Sequence, residues 1–173
     1  MAEHDSLDQF LAGVERRAYR MAYVSTGDVD GALDIVQNAM LKLVSRYRHK
    51  PAADWPPLFY RILNNAITDW HRQRQRGWKV FDRWFGGAAD TDPLAELPAP
   101  AITQPEQEAG MDEQMQRLEV GLRRLPERQR QAFMLRCWEG LSVKATAAAM
   151  GCTAGTVKTL YSRALQNLRE QLT

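Results

Sequence analysis

The feature that most constrains this chain lies near its C-terminus, in Leu125-Pro126-Glu127-Arg128-Gln129-Arg130, Glu139-Gly140-Leu141-Ser142 and Ala149 to Lys158. Val143, Ala147 and Met150 recur at i, i+4 and i+7, so one stripe of a first helix is buried. Gly151 follows where a C-terminal cap needs a residue tolerant of positive φ. Thr153 or Thr156 can cap a second helix, whose apolar set is Val157, Tyr161, Ala164 and Leu168. Lys158, Thr159, Ser162, Arg163 and Gln166 are left on its outer face, all able to reach base edges or phosphates. The pattern predicts a helix-turn-helix with a recognition helix. Helical pairs with a Gly turn and a cationic outer face also occur as plain surface, so the rest of the chain has to decide between the two.

Charge is uneven along the 173 residues: the net is +3 over residues 1–81, −7 over 82–113 and +6 over 114–173, which gives the overall +2. Two basic ends around an acidic middle suit a protein that meets nucleic acid at both ends. Cys137 and Cys152 form no CxxC pair and have no His at ligand spacing. They are expected to be small buried apolar residues in a reducing compartment. Met1-Ala2-Glu3-His4-Asp5 is polar and acidic, unlike a signal peptide. No apolar run approaches the roughly 20 residues that span a bilayer. The expectation is a cytoplasmic protein without membrane insertion.

Ser6-Leu7-Asp8-Gln9 fits a capping box. Leu7, Phe10, Leu11, Val14, Ala18 and Met21 then form a helical stripe ending near Ser25-Thr26-Gly27. Asp28 or Asp30 opens a second helix with an expected buried side of Leu33, Val36, Met40 and Leu43. Its opposite side shows Asp34, Gln37, Asn38 and Leu41, which is either a solvated face or a partner surface. Lys50 to Pro57 predicts a stiff loop with an exposed Trp55, because each Pro removes a donor and biases its predecessor to extended geometry.

A helix is expected to resume at Leu58 and to end in Asp69-Trp70-His71-Arg72-Gln73-Arg74-Gln75-Arg76, with Trp78, Phe81, Trp84 and Phe85 beyond. Rings interleaved with Arg suit unpaired bases, each stacked base contributing about 1–3 kcal/mol. The same pattern also fits a core helix with arginines at its solvated end. Residues 86–113, with Gly86-Gly87, Pro93, Pro98, Pro100, Pro105 and many acids, predict a flexible linker. Periodicity returns at Met115, Leu118, Leu122 and Leu125, and Pro126 suits a first helical turn. No strand pattern is visible.

His4, His49 and His71 share no ligand spacing, no Gly-rich phosphate loop follows a strand, and no Ser or Cys occupies a nucleophile elbow. The middle acids are scattered in a Pro-rich stretch, a poor frame for paired carboxylate chemistry. Neither catalysis nor a metal or other cofactor is expected. Binding is expected to be the function.

From about residue 6 to 171, the chain resembles the small two-domain, extracytoplasmic-function group of bacterial RNA polymerase sigma factors. The resemblance rests on Asp34-Ile35-Val36-Gln37 with Leu41-Lys42, on Leu58 to Ala66 with Asp69-Trp70 and Arg72-Gln73-Arg74, and on the C-terminal motifs with Gly155 to Thr159 and Arg163-Ala164. It implies an all-α fold of two small helical domains, residues 1–80 and 114–173, joined by a flexible acidic linker, 81–113. It further implies an alternative sigma factor that binds RNA polymerase core, through its clamp helices and flap, and promoter DNA, with an anti-sigma factor as a further partner. By the same resemblance Asp34, Gln37, Asn38 and Leu41 dock on the clamp helices. Tyr47, Trp55, Asn65 and Asp69 capture an unstacked base of the −10 element beside Trp70, while Arg61, Arg72, Arg74 and Arg76 hold the strand. Thr156, Lys158, Thr159, Ser162 and Arg163 read the −35 duplex in the major groove.

Leu160 stands where the family usually has Arg, and leucine cannot donate to guanine or phosphate, so −35 preference or affinity is expected to differ. The run Lys144-Ala145-Thr146-Ala147-Ala148-Ala149 implies a thin core in the second domain. The competing reading is a helix-turn-helix repressor or activator that works without polymerase. A helical scaffold would leave the outer arginines unexplained.

Overall fold

A computed structural model describes residues 2–85 and 113–173, with side chains described at 6–77 and 113–173. Residues 86–112 of the predicted linker and the side chains of Trp78, Phe81, Trp84 and Phe85 lie outside the described residues, whereas residues 81–85, expected to open the linker, are helical. Every regular element among the described residues is helical. Helix α1 runs Ala2–Thr26. Ser6 is therefore already inside it, and the expected capping box is not the start of the helix. Gly27, at φ 69°, ends α1. The side chain of Asp28 then accepts from the Gly31 N–H at 3.0 Å and caps α2, Val29–Tyr47.

The buried stripe of α2 is Ala32, Ile35, Val36, Ala39 and Leu43. Leu33, expected inside, is 46% exposed. Two small alanines let α2 lie close to its neighbours on the Ala32/Ala39 line, which turns Leu33 outward. A 3-10 turn, Ala52–Asp54, leads into α3, Trp55–Phe85. That helix begins three residues earlier than expected. Pro56 and Pro57 fall in its first turn, where backbone donors have no intrahelical acceptor, so the prolines cost nothing there. Phe59, Leu63 and Ile67 bury one face of α3 against α1 and α2.

Gly31 is what lets Trp70 of α3 lie on α2. A Cβ at position 31 would sit 2.6 Å from the indole Nε1. Gly31→Ala is therefore expected to displace Trp70 and to destabilise the fold by about 1–3 kcal/mol, despite the better helix propensity of alanine. A thermal melt followed by circular dichroism checks this, with unchanged or raised stability as the contrary result.

The second half begins with α4, Glu113–Arg124, and α5, Glu127–Phe133, which continues into a π turn at Met134–Trp138. Gly140, at φ 63°, reverses the chain, and Ser142 caps α6, Val143–Met150, by accepting from the Ala145 N–H at 3.0 Å. Gly151, at φ 64°, makes the turn, and Thr153 caps α7, Ala154–Leu172. Leu122, Leu125, Phe133, Met134, Leu135, Met150, Val157, Ala164 and Leu168 form the core of this half. The two halves pack on each other, α3 along α6 and α1 against α4. The cysteines depart from expectation: Cys137 is exposed and Cys152 only partly buried. Cys137 falls on the outer side of the π turn, whose extra residue per turn rotates the side chains so that Met134 and Leu135 take the buried side.

Candidate nucleic-acid interface

The helix-turn-helix is α6, the Gly151 turn and α7. Arg128 fastens it to α5, donating from Nη2 to the Met150 carbonyl at 2.9 Å. The Asn167 amide donates to Gln129 Oε1 at 2.8 Å, and Phe133 stacks near Tyr161 with centroids 6.3 Å apart. Val157, Ala164 and Leu168 face inward, so Lys158, Thr159, Ser162, Arg163 and Gln166 form an exposed outer face. Thr156 lies at the exposed start of this face, its backbone N–H and hydroxyl engaged by Thr153 Oγ1 at 3.2 and 2.9 Å. Thr159 turns its hydroxyl back to the Gly155 carbonyl at 3.1 Å. Lys158, Ser162, Arg163 and Gln166 are therefore the groups best placed to reach outward. Leu160 is partly buried against the core, which accounts for an apolar residue there.

In the first half, α3 carries Arg61, Asn65, Asp69, Arg72, Arg74 and Arg76, all exposed. Asn65 and Asp69 follow one another by a single helical turn. Arg72 Nη1 lies 4.0 Å from Asp69 Oδ1, and the Arg74 guanidinium sits 4.7 Å over the half-buried Trp70 ring. Trp55 is a correction. It is 4% exposed, its Nε1 donates to the Tyr47 carbonyl at 3.3 Å, and its ring lies 6.0 Å from that of Phe10. A ring buried in the core cannot stack on a base, so Trp55, at the start of α3, is the structural corner that ties the loop to Phe10 of α1. The half-buried Tyr47 remains at the edge of that loop. The buried amide on α3 is Asn64, not Asn65.

On α2, Asp34, Gln37, Asn38 and Leu41 are all exposed, Leu41 by 66%. Leu33, Gln37 and Leu41 succeed one another every fourth residue, so the surface holds two uncovered leucines. Sequence reasoning missed Leu33. Its signal was a Leu at i−4 from Gln37 beside a stripe that small alanines already filled.

Between the halves runs a polar seam that the sequence did not announce. Tyr60 of α3 donates its hydroxyl to Glu139 Oε2, and Arg17 Nε of α1 lies 3.1 Å from the same oxygen. Thr68 donates to Glu127 Oε1 at 2.7 Å, Arg20 Nε approaches Glu119 Oε1 at 4.0 Å, and the Arg123 guanidinium lies 5.2 Å over the Tyr23 ring. Burial, then the bond to Glu139, pushes the Tyr60 phenol well above its ordinary range. Burial, then the nearby Arg130, lowers the His71 imidazole and favours its neutral form. Arg130 is itself 5% exposed and held below its usual range by burial.

Among the described residues, no group of His, Cys, Asp and Glu could hold a metal ion, and no helix is long and apolar enough to cross a membrane. Residues 8–77 match the family described as Sigma-70 region 2, and residues 115–168 match Sigma-70, region 4. The chain is 31% identical to the RNA polymerase sigma-E factor of Streptomyces coelicolor over 99% of its own length and 89% of the relative's. It is 30% identical to the ECF RNA polymerase sigma factor EcfG of Rhodopseudomonas palustris, covering 95% of this chain and 83% of that one. A similar solved structure is the sigma factor RpoE in complex with the anti-sigma factor NepR from Bartonella quintana. The TM-score is 0.70 at 27% identity, over 95% of each chain.

Proposed function

The chain belongs to the sigma-70 family of RNA polymerase sigma factors, in its extracytoplasmic-function (ECF) group, and we propose that the faces described above divide the work of promoter recognition. It is an alternative sigma factor that directs promoter-specific transcription, a task of binding without a reaction of its own. It binds core polymerase and promoter DNA, acts with them in the cytoplasm, and has an anti-sigma factor as a partner class.

In this proposal residues 1–80 serve core and the −10 element, 81–113 connect, and 114–173 serve the −35 element. Asp34, Gln37, Asn38 and Leu41, joined by Leu33, dock on the clamp helices of core, where a leucine anchor within a polar rim suits a specific interface. Lys158, Ser162 and Arg163 enter the −35 major groove, with Thr156 and Thr159 at the start of the helix near phosphate. Asn65 and Asp69, beside Tyr47 and Trp70, receive a base flipped from the −10 strand. Arg61, Arg72, Arg74 and Arg76 follow its backbone.

The observation that carries the reading is that one chain presents an arginine-rich exposed helix and then a cationic recognition helix, in the order of sigma regions 2 and 4. A repressor or activator acting alone would have no use for the α2 face. Gln37→Ala with Leu41→Glu tests this: it should weaken binding to core by at least about 2 kcal/mol, roughly 30-fold, with helicity unchanged. Equal retention of core by a folded double variant would remove the α2 assignment.

A further inference from the structure

Gln166 stands at the centre of the outer face of α7. At about 100° per residue, the buried Val157, Ala164 and Leu168 lie about 160–200° around the helix from it. Ser162 and Lys158 fall to one side of Gln166, one and two turns earlier, and Arg163 falls to the other. Its side chain is exposed, and its amide makes no hydrogen bond among the described residues. Thr159 shares nearly the same line, but its hydroxyl is engaged by the Gly155 carbonyl at 3.1 Å. Gln166 is thus the planar hydrogen-bonding group that α7 points most directly away from the core.

The rotation of α7 at this turn is fixed on both sides of Gln166. Asn167, the next residue, donates to Gln129 Oε1 of α5 at 2.8 Å. Ala164 and Leu168, two positions before and after, are 0% and 4% exposed. One turn further on, Glu170 is exposed on the same side, an acid that phosphate repels. Gln166 therefore belongs to the last turn of this face that suits contact with a duplex.

Its chemistry selects among bases. A primary amide carries a carbonyl acceptor beside an NH2 donor. In the major groove adenine offers the matching pair, an N6 donor beside the N7 acceptor, whereas guanine shows two acceptors and thymine an acceptor beside a methyl group. A phosphate would use only the donor. Eight residues separate Gln166 from Lys158, about 12 Å of helix at about 1.5 Å per residue. At about 3.4 Å per base pair, the base under Gln166 lies within about four pairs of the one under Lys158.

We propose that Gln166 is a specificity-determining residue of the recognition helix, which selects an adenine by a bidentate hydrogen bond outside the pairs met by Lys158, Ser162 and Arg163. This rests on the reading of α7 as the −35 helix.

The test is a change of preference. Holoenzyme assembled from core polymerase and the full chain selects binding sites from a pool of randomised duplexes, and the bound sequences are aligned. The wild-type chain should enrich one A·T pair in the −35 element that Gln166→Ala leaves random while the other positions keep their preference. Gln166→Glu should turn that same position toward C·G, because a carboxylate accepts from cytosine N4. On the selected duplex, replacing the A·T pair should weaken wild-type binding by about 5- to 150-fold, and Gln166→Ala binding by less than about twofold. Replacing the adenine by 7-deazaadenine, which lacks the N7 acceptor, should weaken binding of the wild type and spare Gln166→Ala. Circular dichroism verifies that both variants fold, since the site is exposed and alanine is the better helix former. The same preference in Gln166→Ala as in wild type would overturn the proposal, and so would an equal loss of affinity for every duplex, the mark of a phosphate contact. If wild-type holoenzyme enriches no −35 sequence at all, the −35 reading of α7 fails instead.

Discussion

Replacing Trp55 by alanine is expected to lower the stability of the first helical domain by about 3–5 kcal/mol, the range for deleting a buried aromatic ring. In a domain of this size that is roughly a 15–30 °C fall in Tm. The indole closes the end of the core between Phe10 and α3, and its Nε1 holds the loop at the Tyr47 carbonyl. Its loss leaves a cavity and removes one of the two donors to that carbonyl, the Lys50 N–H remaining at 3.0 Å. Differential scanning calorimetry of the full chain reads the effect. A variant with wild-type melting but impaired promoter opening would return Trp55 to the base-capture site from which its burial removes it.

Asn65→Ala is expected to act in the opposite manner, with no cost to folding and a large cost to function. Asn65 is exposed on a long helix, where alanine is the better helix former, so the fold should be unharmed. In the proposed −10 site its amide supplies one or two hydrogen bonds to the flipped base, and their loss is worth about 1–3 kcal/mol, roughly 5–150-fold. Core binding and the closed promoter complex should persist in a gel shift. Permanganate reactivity of the −10 thymines in that same complex should fall by the stated factor. Thymines as reactive as in wild type would show that Asn65 takes no part in opening, and the site would then have to be sought among Asp69 and Trp70.

The helical periods were legible from the residues, as were the Gly151 turn, a threonine cap at 153 or 156 and the outward face of α7, because each depends on contacts a few positions apart along the chain. The acidic middle and the arginine-rich end of α3 were legible for the same reason: charge is a property of composition. The family resemblance added the division of labour, which spacing alone does not contain. Where the local reading failed, a distant residue had decided the outcome. Trp55 looked exposed in a Pro-rich loop, but Phe10, far earlier in the chain, buries it. Leu33 looked buried by period, but alanines at 32 and 39 let α2 settle on another side. Cys137 looked like a core residue, but a π turn rotates it outward. The polar seam is the fullest case. Tyr60 and Glu139 are 79 positions apart, and nothing near either residue indicates the other. The sequence by itself determined which helices form and which faces carry charge, since those follow from neighbours within one or two turns. Only the tertiary structure decided which of those faces meet, because long-range pairing depends on how whole helices fill space.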